Sequence, residues 1–254
     1  MRQRVKDLYE RWQVWLFAPQ YLSNHVARQT VIRAVTPYLH GIFLDLGAGA
    51  EPYREAFSSH VVRHIGLEYP PYYRHFPLHQ TLAANCYGDG RALPFRGSSC
   101  DVAFASEVLS YIEQVDAVVG EIHRVVKPGG IFILTDRFLY PLRDDVVDAW
   151  RMTPLGFHQL LSRRGFDIEQ TVSLGGFWIT MALLVNLYLF KDLFRFDRLL
   201  QRDRVWSVHL LVCAAAFPFL ILWCAAANLL CLALEKLHPV SRFSHGWLII
   251  ARKA

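Results

Sequence analysis

From Gly41 to Glu169 short apolar runs alternate with stretches of helical periodicity, and this alternation constrains the fold more than any other feature of the chain. Strands buried on both faces read as continuous apolar runs, and parallel neighbours need helical crossovers between them. The pattern therefore predicts a doubly wound, mostly parallel sheet. Its candidate strands are Ile42–Leu46, His64–Glu68, Val102–Ala105, Gly130–Thr135 and Phe166–Thr171, with helices near Pro52–Phe57, Val115–Arg124 and Thr153–Arg164. Gly246 to Lys253 reads as one more buried strand. A chain of 254 residues suits one α/β domain with additions better than two equal domains.

The additions lie on either side. Residues 1–40 carry two apolar stripes at helical spacing, Leu8, Trp12, Trp15 and Leu16, then Val26, Thr30, Ile32 and Val35, which predict two helices parted near Pro19. Trp12, Trp15 and Phe17 beside Arg2, Arg4, Lys6 and Arg11 could anchor the chain at a lipid head-group zone. A helical lid packed on the domain is the preferred reading, because tryptophans are commonly core residues. Beyond Gly175 the texture changes: Gln170 to Phe190 and Val205 to Leu234 hold no charge apart from the titratable His209. Either run meets the roughly 20-residue length of a bilayer span. The expected division is 1–40 as N-terminal helices, 41–176 with 244–254 as the main domain, and 177–243 as a hydrophobic helical insertion, membrane-associated.

The formal charge of +5 forms no long basic run and no nucleic-acid motif is visible, so nucleic acid is not expected as a partner. Attraction to anionic lipid head groups accounts for the charge equally well. Cys86, Cys100, Cys213, Cys224 and Cys231 have no metal-site spacing, so no metal is expected and they read as reduced thiols of a cytosolic compartment. The basic N-terminus meets Asp7 and Glu10 before any long apolar run, which is not a secretory signal; the main domain is expected on the cytoplasmic side.

Four motifs follow in order. Leu44-Asp45-Leu46-Gly47-Ala48-Gly49 ends a strand in a carboxylate and a tight glycine turn whose amides could face a ligand. Ile65-Gly66-Leu67-Glu68 ends the next strand in a carboxylate, where a doubly wound fold places its acceptor for ribose hydroxyls. Gly88-Asp89-Gly90-Arg91-Ala92-Leu93-Pro94-Phe95 leads into a strand ending Ser106-Glu107-Val108-Leu109, and Lys127-Pro128-Gly129-Gly130 stops a helix ahead of another strand. With these motifs the chain resembles the class I S-adenosylmethionine-dependent methyltransferases, specifically the type 11 group, over roughly residues 40–172 and the last strand.

The resemblance implies a Rossmann-like doubly wound α/β sheet with an antiparallel last strand, here carrying N-terminal helices and a hydrophobic helical insertion before that strand. It implies S-adenosylmethionine as cofactor. Asp45, Gly47 and Gly49 would form the loop under its methionine part, Glu68 would accept from the ribose hydroxyls, Asp89 would face the adenine amino group with Leu93 near the ring, and Ser106 and Val108 would line the pocket near the sulfonium. Tyr140, Arg143, Arg151 and Met152 fall where the family places its acceptor-facing lid. Arg151 could hold an acceptor phosphate or carboxylate, or pair with Asp148 or Asp144, and Tyr111 is a second acceptor-side candidate.

The chain departs from the family at two places. A third glycine is replaced by Glu51, followed by Pro52-Tyr53, and a family Leu-Glu-His is here Leu109-Ser110-Tyr111, which removes a histidine base. Methyl transfer depends chiefly on in-line positioning, so the loss does not preclude activity. Asp136, His158 and Tyr140 are the weak candidates for a catalytic role, ordinary structural roles being the commoner reading of such residues. A nicotinamide dehydrogenase would need glycine at Pro52.

The two strands that flank the insertion must return to one sheet, so the insertion crosses a membrane an even number of times or not at all. A two-span hairpin would put the basic loop Lys191–Arg204 on the far side, against the positive-inside tendency. Pro218 would kink the longer helix, and Asn186 and Asn228 would need partners in lipid. A helical hairpin embedded from the cytoplasmic side, with Lys191, Arg195, Arg198, Arg202 and Arg204 at head-group level, satisfies these constraints; burial in an oligomer interface is the soluble alternative. The expected function is methylation of a membrane-surface acceptor, a lipid, a quinone precursor or a lipid-linked glycan, with other small-molecule acceptors left open; the alternative is a non-catalytic, cofactor-binding membrane scaffold.

Overall fold

The computed structural model describes residues 15–69, 84–142, 147–194 and 207–254. Of these, the residues up to Thr30 and Leu174–His245 form one compact unit, and Val31–Ser173 with Gly246–Ala254 form the other.

The second unit is built on a seven-stranded sheet of β1 (Ile42–Leu46), β2 (Arg63–Glu68), β3 (Cys86–Tyr87), β4 (Cys100–Ser106), β5 (Val126–Arg137), β6 (Phe166–Ser173) and β7 (Gly246–Lys253), in the order β3-β2-β1-β4-β5-β7-β6. The first five are parallel, and β7 enters antiparallel between β5 and β6. The expected doubly wound sheet with an antiparallel last strand is therefore present. Among the described residues α1 (Arg28–Val35) enters this unit at Val31, followed by its helices α2 (Arg54–Phe57), α3 (Val115–Val125) and α4 (Pro154–Ser162).

The period of two along each strand sorts the two faces. Leu44, Leu46, Leu67, Ala103 and Ala105 share one buried core with Val115, Val118, Val119, Ile122 and Val125 of α3. Those α3 positions recur at three, four and seven residues, the spacing of a helix with one apolar face. Alternate positions of β1 and β4 carry Phe43 and Phe104, whose rings meet Phe57 with centroids 5.7–5.9 Å apart. Thr153 caps α4, its hydroxyl accepting from the Gly156 amide at 3.2 Å, with Pro154 at the first helical position.

Asp101 ties three strands. One carboxylate oxygen accepts from the Ile42 amide at 2.7 Å and the other from Lys127 Nζ at 2.7 Å, at the turn where β4 and β5 shift register between Cys100 and Val102.

The first unit is mostly helical: a π-helical stretch over Leu22–Ala27, α5 (Phe177–Leu187) continued by a π-helical turn over Tyr188–Leu193, and α6 (Ser207–Leu237), which runs through Pro218. Leu22, Ile179 and Ala182 pack with Cys231 and Leu232, while Phe190 packs with Leu220 and Cys224, so α5 and α6 lie antiparallel. The asparagines find partners inside this pair. Asn186 Nδ2 donates to Asn228 Oδ1 at 3.1 Å, Trp223 Nε1 donates to Asn186 Oδ1 at 3.2 Å, and Asn228 Nδ2 donates to the carbonyls of Leu16 and Ala18 at 2.6 and 3.2 Å. Glu235 closes the base of the pair by accepting from the Trp178 amide at 3.2 Å, at the start of α5.

Of the N-terminal stripes, Leu8 and Trp12 lie outside the described residues, as do Arg2, Arg4, Lys6 and Arg11. Trp15 is 58% exposed and stacks on Phe17. In the second predicted helix the buried positions are Leu22, Ala27, Val31 and Val35 instead of Val26, Thr30 and Ile32.

Replacing Asp101 with Ala should lower stability by about 1–3 kcal/mol, because the Ile42 amide loses its acceptor. Lys127→Met, at a half-exposed ion pair, should cost under about 1 kcal/mol. Chemical denaturation midpoints of the two variants will separate these contributions.

Candidate functional site

The order of the sheet reverses between β1 and β4, and the carboxyl ends of those strands and of β2 carry the loops that gather most of the candidate residues. Asp45, next to last in β1, pairs in register with Gly66 on one side and Phe104 on the other, and is buried. Burial is the largest influence on its carboxyl and pushes it up to about 6, aided by the negative charges of Glu51 and Glu68 and opposed by His64.

Gly47 has φ of 67°, and a Cβ there would overlap the Val108 side chain arriving from β4. The loop thus needs glycine at 47 for both its turn and its close approach to Val108. The Gly47 and Ala48 amides donate to the Leu67 carbonyl at 2.8 and 3.1 Å, and the Gly49 amide donates to Glu68 Oε2 at 2.8 Å. These three amides are spent on the protein, so the loop offers shape and space more than free donors. A Cβ on Gly49 would meet only the Gly47 carbonyl oxygen, at 3.9 Å.

Glu68 ends β2 with one oxygen on Gly49 and the other accepting from the Tyr69 amide at 2.8 Å. Each carboxylate oxygen keeps a second lone pair, which suits the residue to a pair of vicinal hydroxyls. Asp89 is held by Arg91, whose amide donates at 2.9 Å and whose Nη2 donates at 2.6 Å. That partner holds the Asp89 carboxyl below its ordinary range. Leu93 is buried in the core with its amide donating to Glu121 at 2.8 Å, a position set by packing.

At the ends of β4 and β5, Ser106 Oγ and Thr135 Oγ1 are hydrogen-bonded at 2.9 Å. Asp136 follows Thr135, buried, accepting from the amides of Ser110 and Arg137, each at 2.8 Å. Burial pushes its carboxyl up to about 6 against those bonds. Tyr111 closes the short turn Leu109–Tyr111 above β4. Over that turn lies the strap 147–152, with the Ala149 amide donating to the Ser110 carbonyl and Trp150 Nε1 to the Ile112 carbonyl, both at 2.9 Å.

Arg137 stacks on the Tyr140 ring, 4.3 Å from its centroid, and pairs with Glu107. Arg151 pairs with Asp148, the neighbour named from sequence, while Arg143 and Asp144 lie outside the described residues. His158 is set apart. Its Nε2 lies 2.8 Å from Thr171 Oγ1 on β6, the edge strand three positions from β4, which is about 14 Å at ordinary strand spacing.

Two features escaped the sequence. Glu51, seen only as a departure from glycine, adopts φ of 47° and is buried with Arg54 on one oxygen. His64, not singled out at all, is buried with Nε2 at 3.8 Å from Asp45 Oδ2 and 4.0 Å from Glu51 Oε1. The available signal was the period of two in His64-Ile65-Gly66-Leu67-Glu68, which puts a histidine and a glutamate on one face with a glycine between them. A Cβ on Gly66 would overlap Glu51 Oε1, so the glycine leaves room for that carboxylate.

Residues 44–134 match the family model described as "Methyltransferase domain". An uncharacterized methyltransferase of Mycobacterium leprae (strain Br4923) is 33% identical over 118 residues, 45% of this chain and 40% of that protein. A sterol 4-C-methyltransferase of Caenorhabditis elegans is 47% identical over 55 residues, 22% of this chain and 15% of that protein. The chain thus spans well under half the length of these curated relatives. Among solved structures, an S-adenosylmethionine-dependent methyltransferase from Mesorhizobium loti aligns with a TM-score of 0.53 at 19% identity, covering 91% of this chain and 100% of that one. A chain of the complex between the Haloferax volcanii Trm112 methyltransferase activator and a methyltransferase aligns with a TM-score of 0.56 at 18% identity, covering 91% and 90%. The sheet order, the glycine loop and these matches together identify the chain as carrying a class I S-adenosylmethionine-dependent methyltransferase domain, with S-adenosylmethionine as its cofactor.

Proposed function

We propose that the protein transfers a methyl group from S-adenosylmethionine to an acceptor held at a membrane surface, a lipid, a quinone precursor or a lipid-linked glycan. The observation that carries the location is the burial pattern of α6, which is the reverse of a soluble helix. Its inward stripe is Cys213, Leu220, Cys224 and Asn228, the last two fully buried, whereas Phe219 is 73% and Leu222 68% exposed. Leu211, Phe217, Leu229 and Leu230 are exposed with them. Large apolar side chains outward and polar ones inward suit a hydrocarbon surrounding.

Leu211–Leu237 is, among the described residues, the one helix long and apolar enough to cross a bilayer, which by itself is weak evidence. Both ends of the insertion rejoin one sheet, at Ser173 and Gly246, so an embedded hairpin fits better than a single crossing. Lys191 lies on this hairpin, while Arg195, Arg198, Arg202 and Arg204 lie outside the described residues. The cytoplasmic side follows from the positive-inside tendency of that loop.

In the site, the cofactor would supply an electrophilic methyl group on a sulfonium. The chain's part is to hold and orient: Asp45, Gly47 and Gly49 under the methionine portion, Glu68 at the ribose, Asp89 and Leu93 at the adenine, Ser106 near the sulfonium. Tyr111 and Arg151 lie toward the acceptor. Asp136 is the best placed of the three weak candidates for a base, since it lies beside the Ser110 turn and a carboxyl near 6 is ionised at neutral pH. His158 is engaged at the edge of the sheet and Tyr140 is covered by Arg137. The second reading, a non-catalytic cofactor-binding scaffold, draws on Glu51 in a glycine's place and on Ser110-Tyr111 in place of a histidine.

Asp45→Ala and Glu68→Ala should each weaken S-adenosylmethionine binding by about 1–3 kcal/mol. Unchanged calorimetric affinity in both rejects the pocket. Tight binding without S-adenosylhomocysteine formation on membrane extract favours the scaffold. Replacing Phe177–Leu237 with a short turn should move the protein from the membrane pellet to the supernatant with cofactor binding retained; a variant that stays in the pellet overturns the location.

A further inference from the structure

Beneath the glycine loop, three titratable groups share one water-poor space. Asp45 comes from β1, Glu51 from the loop and His64 from β2, and the His64 and Glu51 side chains are 4% and 1% exposed. Among the described residues His64 Nε2 and Glu51 Oε1 have no hydrogen-bond partner, although such buried atoms ordinarily have one. They stand 4.0 Å apart, with Asp45 Oδ2 at 3.8 Å from the same nitrogen, just beyond bonding distance. Glu51 is moreover held at positive φ, where a non-glycine residue is strained. Among the described residues no group of three or more His, Cys, Asp and Glu has the arrangement of a metal site.

We propose that His64 is a positioning residue for the cofactor: facing Asp45 and Glu51 from under the loop, it keeps Asp45 in the carboxylate form that a cationic ligand requires. This rests on reading the loop as the S-adenosylmethionine site. The cofactor carries an ammonium and a sulfonium against one carboxylate, so it binds best where the loop's carboxylate is charged. Every neighbour of the cluster acts on that charge in a known direction. Burial disfavours it most strongly, Glu51 and Glu68 disfavour it by repulsion, and His64 favours it from 3.8 Å. Arg54 is occupied with the second oxygen of Glu51. Among the described residues His64 also meets three uncharged groups: Ser58 Oγ at 3.5 Å from Nδ1, Asn85 Nδ2 on its carbonyl at 3.3 Å, and the Phe43 ring at 4.9 Å.

The sign follows from linkage. Asp45 titrates at about 6, so above that pH the cofactor meets a carboxylate, and below it binding must expel a proton. Affinity is then expected to be level above neutrality and to fall toward tenfold per pH unit in the acid range, with up to about one proton released on binding.

The test is calorimetric titration of the full chain with S-adenosylmethionine from about pH 5 to 8, in buffers of different ionisation enthalpy, beside His64→Gln and Glu51→Gln. Gln keeps a donor near Asp45 but never a charge, so the midpoint of the fall should move upward by roughly half to one on the pH scale. Glu51→Gln removes a repelling charge and should move it downward. A histidine that merely filled space would lower affinity equally at every pH. Midpoints that coincide with the unaltered protein's overturn the proposal. If His64→Gln does not fold, the Glu51→Gln midpoint and the heat of the unaltered protein decide: binding near pH 5.5 with no proton released overturns it too. Failure of the unaltered protein to bind at any pH instead overturns the cofactor site itself.

Discussion

The reversal of strand order between β1 and β4 is the constraint on which the rest of the sheet-bearing unit depends. After β1 the chain builds outward through β2 and β3, then returns to lay β4 on the other side of β1. The loops leaving β1 and β4 therefore diverge and leave a crevice at the carboxyl end of the sheet. Gly47 and Val108 meet across that crevice, and Glu68 reaches it from the adjacent strand to take the Gly49 amide. No helix or strand supplies the site alone; its residues are neighbours because the topology turns back on itself at this point.

The price of that arrangement is charge without water. Asp45 and Asp136 occupy matching places near the ends of β1 and β5, and burial pushes both carboxyls upward to about 6. They are treated differently by their surroundings. Asp136 has two backbone amides as donors, whereas Asp45 faces an imidazole at longer range together with two more carboxylates. The first is a bonded structural corner beside the Leu109–Tyr111 turn. The second is a group whose charge is left to be decided by what lies near it.

The sheet was legible wherever burial on both faces wrote itself as an apolar run. β1 has the bounds that its sequence suggests, and β4 and β6 differ only at their ends. β5 starts earlier than expected because Val126 pairs with Cys100 before the register shift, so the Lys127-Pro128-Gly129-Gly130 turn is absorbed into the strand. β3, only Cys86 and Tyr87, is too short to show a period. Among the candidate site residues, Gly47 could be read because its positive φ and its approach to Val108 demand a glycine, while Asp45 and Glu68 were read as carboxylates near the ends of strands, which is where β1 and β2 carry them. Arg91 on Asp89, and His64 against Asp45 and Glu51, could not be read, since a pairing between side chains leaves no periodic trace. For the same reason Asn186 and Asn228 read as liabilities in lipid until each proved to be the other's partner.

β7 also has a temporal consequence. It fills the gap between β5 and β6, yet it follows the whole apolar hairpin in the chain. On a ribosome, the edges of β5 and β6 have no strand between them until α5 and α6 have been made, since synthesis runs from the N-terminus. The apolar hairpin is thus made while the sheet is still open, and the sheet closes only when β7 arrives.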